Sequence, residues 1–174
     1  MSAIWFTSDN HFWHKNIIGY CNRPFTTPDG QPDVEKMNDV MVERWNANVG
    51  EKDEVWHLGD FSFGNFETIK YLVHELHGVK HLVKGNHDRH SNKFYYEAGF
   101  TSVRKSFSLD MDGNHILLVH RPPTDLGDHH FALCGHVHDR WREQSVQGKR
   151  VMNVGVDVRG FAPTTLYQLL ADRP

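Results

Sequence analysis

Five short apolar runs in this chain stop at residues able to bind a metal or carry a proton, and few folds bring so many such ends together. "IWFTSDNH" ends in Asp9 and His11, "VWHLGD" in Asp60, "LVKGNHD" in Asn86, His87 and Asp88, "ILLVH" in His120, and "LCGHVH" in His136 and His138. Runs of this length, rich in β-branched and aromatic residues, read as buried strands. In an open α/β sheet, groups at the carboxyl ends of the strands face one crevice, so ligands from several strands converge there. On an extended chain Asp9 and His11 point to the same side, as do His136 and His138, so each pair can grip a metal together. Gly59, Gly85 and Gly135 each stand just before a ligand, where the backbone must bend or approach an ion closely.

The segments between these runs complete an α/β pattern. Val34, Met37, Val40, Met41, Trp45 and Val49 recur at helical spacing behind Asp33, a good capping residue. Phe66, Ile69, Leu72, Val73 and Leu76 mark a second helix that ends at Gly78. Strand and helix alternate as far as "KHLVKGN", which predicts parallel strands joined by helical crossovers. From Ser102 the pattern changes. "SVRKSFSLDMDGNHILLVH" reads as two strands about Asp112 and Gly113, and "FALCGHVH", "REQSVQGKRVMNVGVDV" and "TTLYQLLA" read as further strands, the middle one folded back at Gln147 and Gly148. The expectation is one α/β domain over residues 1–174, with two mixed β-sheets packed face to face and flanked by helices.

Composition narrows the classes of function. With 39% hydrophobic and 24% charged residues, the chain is an ordinary globule rather than a disordered or fibrous one. A net charge of −3 gives no fold-wide attraction to nucleic acid. Cys21 and Cys134 lie in unrelated contexts, so neither a disulfide framework nor a thiolate zinc site is expected. The opening "MSAIWFTSD" lacks a basic, then apolar, leader, and no window is long and apolar enough to span a bilayer; a cytoplasmic protein is expected. The compositional excess is in imidazole, with 14 histidines. A ligand set of carboxylate, imidazole and amide oxygen without thiolate suits divalent or trivalent manganese, iron or zinc.

Taken in order, "DNH", "GD", "GNHD", a lone His after an apolar run, and "GHVH" resemble the calcineurin-like metallophosphoesterase family. The stretches "FTSDNHFWHKNII", "CNRPF" and "VWHLGDF" are similar to its small bacterial and phage members that have no cap domain. The resemblance runs from about residue 5 to residue 158. It implies that Asp9, His11, Asp60 and His138 hold one metal and that Asp60, Asn86, His120 and His136 hold a second, with Asp60 bridging. It implies as well that His87 faces the substrate as general acid or transition-state stabiliser. Such metal pairs, about 3.5–4 Å apart, generate a bridging hydroxide near neutral pH and neutralise the phosphate oxygens it must approach. Asn86 can touch a phosphate oxygen as well as the metal, and no covalent enzyme intermediate is required.

The expected activity is therefore hydrolysis of phosphodiesters or phosphomonoesters, with small phosphate esters, nucleotides included, as substrates. His14 and Arg23 are candidates for phosphate contact, and Trp13, where relatives carry a small residue, either narrows the pocket or offers a stacking face. Asp88 suits a turn-fixing role, and His57, inside an apolar run, suits the core. Two rivals stand beside the enzyme: a binding module on the same fold that has lost its metals, and a structural metal protein. The first should lack ligands or the histidine at position 87, and none is missing; the second calls for closed sites rich in Cys or His.

Overall fold

A computed structural model describes residues 2–172. Strand β1 (Ile4–Thr7) shows why the strands are apolar on both faces: Trp5 packs among helices, while Phe6 turns into the space between two sheets. β2 (Glu54–His57) divides Val55 and Trp56 in the same way, and β3 (Val79–Val83) divides Leu82 and Val83. These three strands are parallel neighbours, as helical crossovers require.

Helices α1 (Lys15–Tyr20) and α2 (Val34–Asn48) connect β1 to β2, and α3 (Phe66–Glu75) connects β2 to β3. The Asp33 side chain accepts from the Lys36 N–H at 3.0 Å to start α2, and Asn65 does the same for Thr68 at 3.0 Å to start α3. Met37, Met41 and Trp45 of α2 and Ile69, Leu72 and Val73 of α3 are buried against one face of the sheet. A shorter helix, α4 (Asn92–Ala98), runs from a Ser91 cap to Gly99 at φ 116 and joins the same layer.

The stretch from Ser102 makes three strands rather than two, because the chain changes sheets at Lys105. β4 (Ser102–Arg104) pairs in parallel with β3 and ends the first sheet, while β5 (Ser106–Met111) and β6 (Asn114–Val119) open the second as a hairpin about Asp112 and Gly113. β7 (Phe131–Cys134), β8 (Glu143–Val146) and β9 (Lys149–Asn153) complete it, β8 folding back onto β9 at Gln147 and Gly148. The order is β5-β6-β7-β9-β8, with parallel inner pairs and antiparallel outer ones.

"TTLYQLLA" departs from the strand expected of it. Only β10 (Thr164–Thr165) pairs, antiparallel to β1, and Leu166–Ala171 coils into α5. Thr165 and Gln168 form a reciprocal capping box, and Leu166 and Leu169, three apart, are buried on one face. "VGVDV" likewise closes into a 3₁₀ turn at Val156–Val158. The first sheet thus has the order β10-β1-β2-β3-β4 and is also mixed.

Phe6, Trp56, Leu58 and Val83 meet Ile116, Leu118, Leu133 and Met152 between the two sheets. Both sheets direct strand ends to the same edge. There Leu58 accepts from His120 Nδ1 at 2.7 Å, and the Gly135 N–H donates to His120 O at 2.9 Å. Among the described residues no helix is long and apolar enough to cross a membrane. Cys21 and Cys134 are free thiols.

Candidate metal centre

The chain leaves its strands at this edge with uncommon backbone. Asp9 (φ 59), His11 (φ 50), Asp60 (φ 57), His136 (φ 71) and His138 (φ 51) all occupy the left-handed region, which costs a residue with a Cβ about 1–3 kcal/mol. Asp9 and His11 are therefore not alternate residues of an extended strand, nor are His136 and His138. Both pairs still converge, by a kinked route: the Asp9 N–H donates to Gly59 O and the His11 N–H to Asp60 O, each at 3.0 Å. Two glycines make the approach possible. A Cβ on Gly85 would strike the Asp60 side chain and lie 2.6 Å from its backbone nitrogen, and one on Gly135 would strike the Ser8 hydroxyl and Asp9 Oδ2.

Two groups of ligand atoms result, Asp9 with His11 and His138, and Asp60 with His120 and His136, the atoms of each group within 4.8 Å of one another. Asp60 stands between them. Its Oδ1 accepts the His87 N–H at 2.8 Å, while Oδ2 lies 3.6 Å from His11 Nε2 and 3.3 Å from His120 Nε2. Asn86 Oδ1 is 3.1 Å from the same His120 nitrogen. All seven expected ligands are thus at one place.

The hydrogen bonding suits a cation. Because a carbonyl only accepts, His120 Nδ1 must carry the proton given to Leu58 O, which leaves Nε2 as the nitrogen turned toward Asp60 Oδ2 and Asn86 Oδ1, where a metal would take the place of its proton. Asp9 Oδ2 accepts the His136 N–H at 2.9 Å, but Asp9 Oδ1 and both ring nitrogens of His11 are buried without a partner. Each unmet buried polar atom costs about 1–3 kcal/mol, and a metal ion would meet Asp9 Oδ1 and one His11 nitrogen at once. Carboxylate, imidazole and amide oxygen donors fit such an ion.

The ionisation of these groups follows from burial and contact. Burial pushes the Asp9 carboxyl up and the His11 ring down to about 2. Burial also acts against the charged forms of Asp60 and His120, yet each favours the other's charge: Asp60 is held below the usual carboxylate range and His120 above the usual imidazole range.

The surrounding residues sort by what they touch. His87 is half-buried, its ring 5.4 Å from that of His11. The His14 ring lies 5.6 Å from His11 and stacks on Phe63 at 4.0 Å, so this phosphate-contact candidate is at the crevice. Trp13 lines a separate groove with Val42 of α2 and Tyr71 of α3.

Arg23 also requires correction, because its side chain is 0% exposed and its donors are spent internally. Nε and Nη2 fork onto Asp157 at 2.8 and 3.0 Å, and Nη1 and Nη2 bond Asn10 O and Asp9 O. No face of the guanidinium remains for a phosphate. Asp88 fixes the turn by accepting from the N–H groups of Asp60, Phe61 and Gly85. His57 is a satisfied core residue: Nδ1 accepts from the Gly59 N–H, and Nε2 donates to Asn10 Oδ1 at 2.9 Å.

Asp157 was not anticipated. Its Oδ2 accepts from His138 Nδ1 at 2.9 Å, which turns Nε2 of that ring toward the centre. Burial alone would lower the His138 pKa, but the bond to Asp157, together with Cys21 and the nearby Asp9 carboxylate, raises it to about 10. The signal lay in "VGVD", an acid soon after a glycine at the end of an apolar run, as in "LGD".

Among known proteins, a family model for the calcineurin-like phosphoesterase superfamily domain matches residues 37–167. An uncharacterized protein of Methanocaldococcus jannaschii is 32% identical over 173 residues, covering 95% of this chain and 88% of its own length. The gene 66 protein of Mycobacterium phage L5 is 30% identical, covering 92% of this chain and 89% of its own. Among solved structures, a protein of unknown function from Aquifex aeolicus superposes with a TM-score of 0.75 over 98% of this chain and 99% of that one, at 21% identity. A novel archaeal phosphodiesterase superposes at 0.50 over 87% of this chain and 82% of its own, at 18% identity. These two likenesses are of fold.

Proposed function

Because the chain belongs to the calcineurin-like phosphoesterase superfamily, we propose that it hydrolyses phosphate esters with two metal ions held side by side. Asp9, His11, Asp60 and His138 would hold one, and Asp60, Asn86, His120 and His136 would hold the other. The observation that carries this reading is Asp60 Oδ2, placed between His11 Nε2 at 3.6 Å and His120 Nε2 at 3.3 Å where the two ligand groups meet. The donor set favours manganese, iron or zinc.

Bound there, a metal pair would supply neutralisation of the phosphate oxygens and a water made nucleophilic near neutral pH. The protein's own groups supply position and protons. Asn86, exposed at the crevice, keeps Oδ1 toward His120 while its amide N–H groups remain for a phosphate oxygen. His87 has its backbone pinned to Asp60 and its ring free in the crevice; as the bond to phosphorus breaks, the ring gives its proton to the departing oxygen. His14, its ring 5.6 Å from that of His11, would meet the phosphate at the same rim. Phosphodiesters and phosphomonoesters both suit an open crevice, small esters and nucleotides included.

The test is hydrolysis of an aryl phosphodiester and an aryl phosphomonoester by chelated protein with Mn²⁺ restored, beside His87→Ala. Manganese-dependent turnover that falls about 100-fold or more in the variant is expected. A protein that binds no metal and turns over neither ester would instead be a catalytically inactive binding module on this fold.

A further inference from the structure

The side of the crevice occupied by His87 is walled by aromatic rings. Phe63 stacks on His14 at 4.0 Å with 16° between the planes, and its centroid is 5.1 Å from the His87 ring and 5.6 Å from the His11 ring. Tyr20 continues the row outward, 6.3 Å from His14. Phe63 is 44% exposed and Tyr20 is 74% exposed, although each could pack in a core. Single exposed aromatics need no explanation, but a contiguous row that begins at a reactive centre is the form a binding surface takes. The wall is also fixed in place. The Phe63 N–H donates to Phe12 O at 2.9 Å, the Gly64 N–H to the Ser62 hydroxyl at 3.1 Å, and Ser62 pairs with Phe12 as an isolated bridge.

From this arrangement, and resting on the phosphoesterase reading above, we propose that the preferred substrates are esters whose departing alcohol carries a flat aromatic ring, which packs against the exposed part of Phe63 that His14 does not cover. The assignment to the departing side follows from position, since Phe63 adjoins His87, the group that protonates the oxygen that leaves. A ring on the retained side would have to lie away from this wall. Phe63 is thus a specificity residue and takes no part in proton transfer. A nucleoside and a simple aryl alcohol both supply such a ring.

The experiment compares methyl phosphodiesters in matched pairs with leaving alkoxides of similar acidity. One pair is 2-naphthylmethyl against cyclohexylmethyl, and the other is thymidine 5′-methylphosphate against its abasic counterpart. Wild type should release the ring-bearing alcohol with kcat/KM about ten-fold above its partner in at least one pair, the usual scale of a base on an aromatic side chain. Phe63→Ala should bring that ratio close to one, and Phe63→Tyr should keep it. Which pair shows the preference identifies the ring as a nucleobase or a simple aryl group. Non-hydrolysable phosphinate analogues of the first pair, with carbon in place of both ester oxygens, titrated by calorimetry into metal-loaded protein, should show the same preference and the same loss. Turnover with equal rates within both pairs, or a preference that survives Phe63→Ala, would overturn the aromatic wall and leave the phosphoesterase reading standing. No turnover of any ester and no phosphinate binding would overturn both.

Discussion

Asp157 acts on the centre through His138. It holds the ring nitrogen that faces away from the centre and is itself clamped by the Arg23 fork. Carboxylates in this position fix ring orientation and raise ligand basicity, and their loss costs about 10- to 100-fold in metal affinity. Asp157→Asn should therefore weaken metal binding by that factor in a competition titration, whereas an unchanged affinity would show that His138 needs no such support. What could be read at this scale depended on distance along the chain. Asp9, His11, Asp60 and His136 each end a recognisable apolar run, so local pattern was enough to find them. Arg23 and Asp157 are 134 residues apart, and no local pattern shows that they pair. An arginine in an irregular, proline-rich connection reads as exposed, yet this one is buried because its donors find the Asp157 carboxylate and two backbone carbonyls.

At the level of elements, the centre depends on how closely the ends of β2 and β3 approach. Asp88, beyond β3, gathers three backbone N–H groups, two of them from the turn after β2. Asp88→Ala would leave those buried donors unmet at about 1–3 kcal/mol each. A fall in thermal midpoint of several degrees is expected, and a midpoint equal to wild type would contradict the role of Asp88 as the tie between strands. Gly85→Ala addresses the same approach from the other side, since its methyl would collide with Asp60. The predicted outcome is lower metal content by elemental analysis in protein that still folds. Most elements were legible. α2 and α3 follow from the spacing of their apolar residues, and the β5-β6 hairpin from Asp112 and Gly113. The last helix was not, because the apolar residues of "TTLYQLLA" fit strand and helix alike over so short a span, and the Thr165 to Gln168 capping box decides between them.

Across the whole molecule, the two sheets share one core and present their strand ends at one edge, so the site draws on residues from Asp9 to Asp157. That there are two mixed sheets could be read from the change in pattern at Ser102; which strands pair, such as β10 with β1, is what no short stretch specifies. His57 links this interior to global stability. Burial pushes its ring down to about 3 from 6.5, so between those values the unfolded chain holds a proton that the folded one does not. Its contribution is therefore complete above about pH 6.5 and declines as the pH falls toward 3. Taking metal-free protein from pH 7 to pH 5 should cost wild type more unfolding free energy than His57→Gln, and ring ¹⁵N shifts should report a neutral Nε2–H tautomer at both values. An equal cost in the two proteins would contradict this account. The central claim, that Asp60 joins two ions into one centre, is tested most directly by counting manganese bound per chain in wild type and in Asp60→Ala. The account predicts two equivalents in wild type and loss of the pair in the variant; an Asp60→Ala protein that keeps both ions and a normal rate would contradict it.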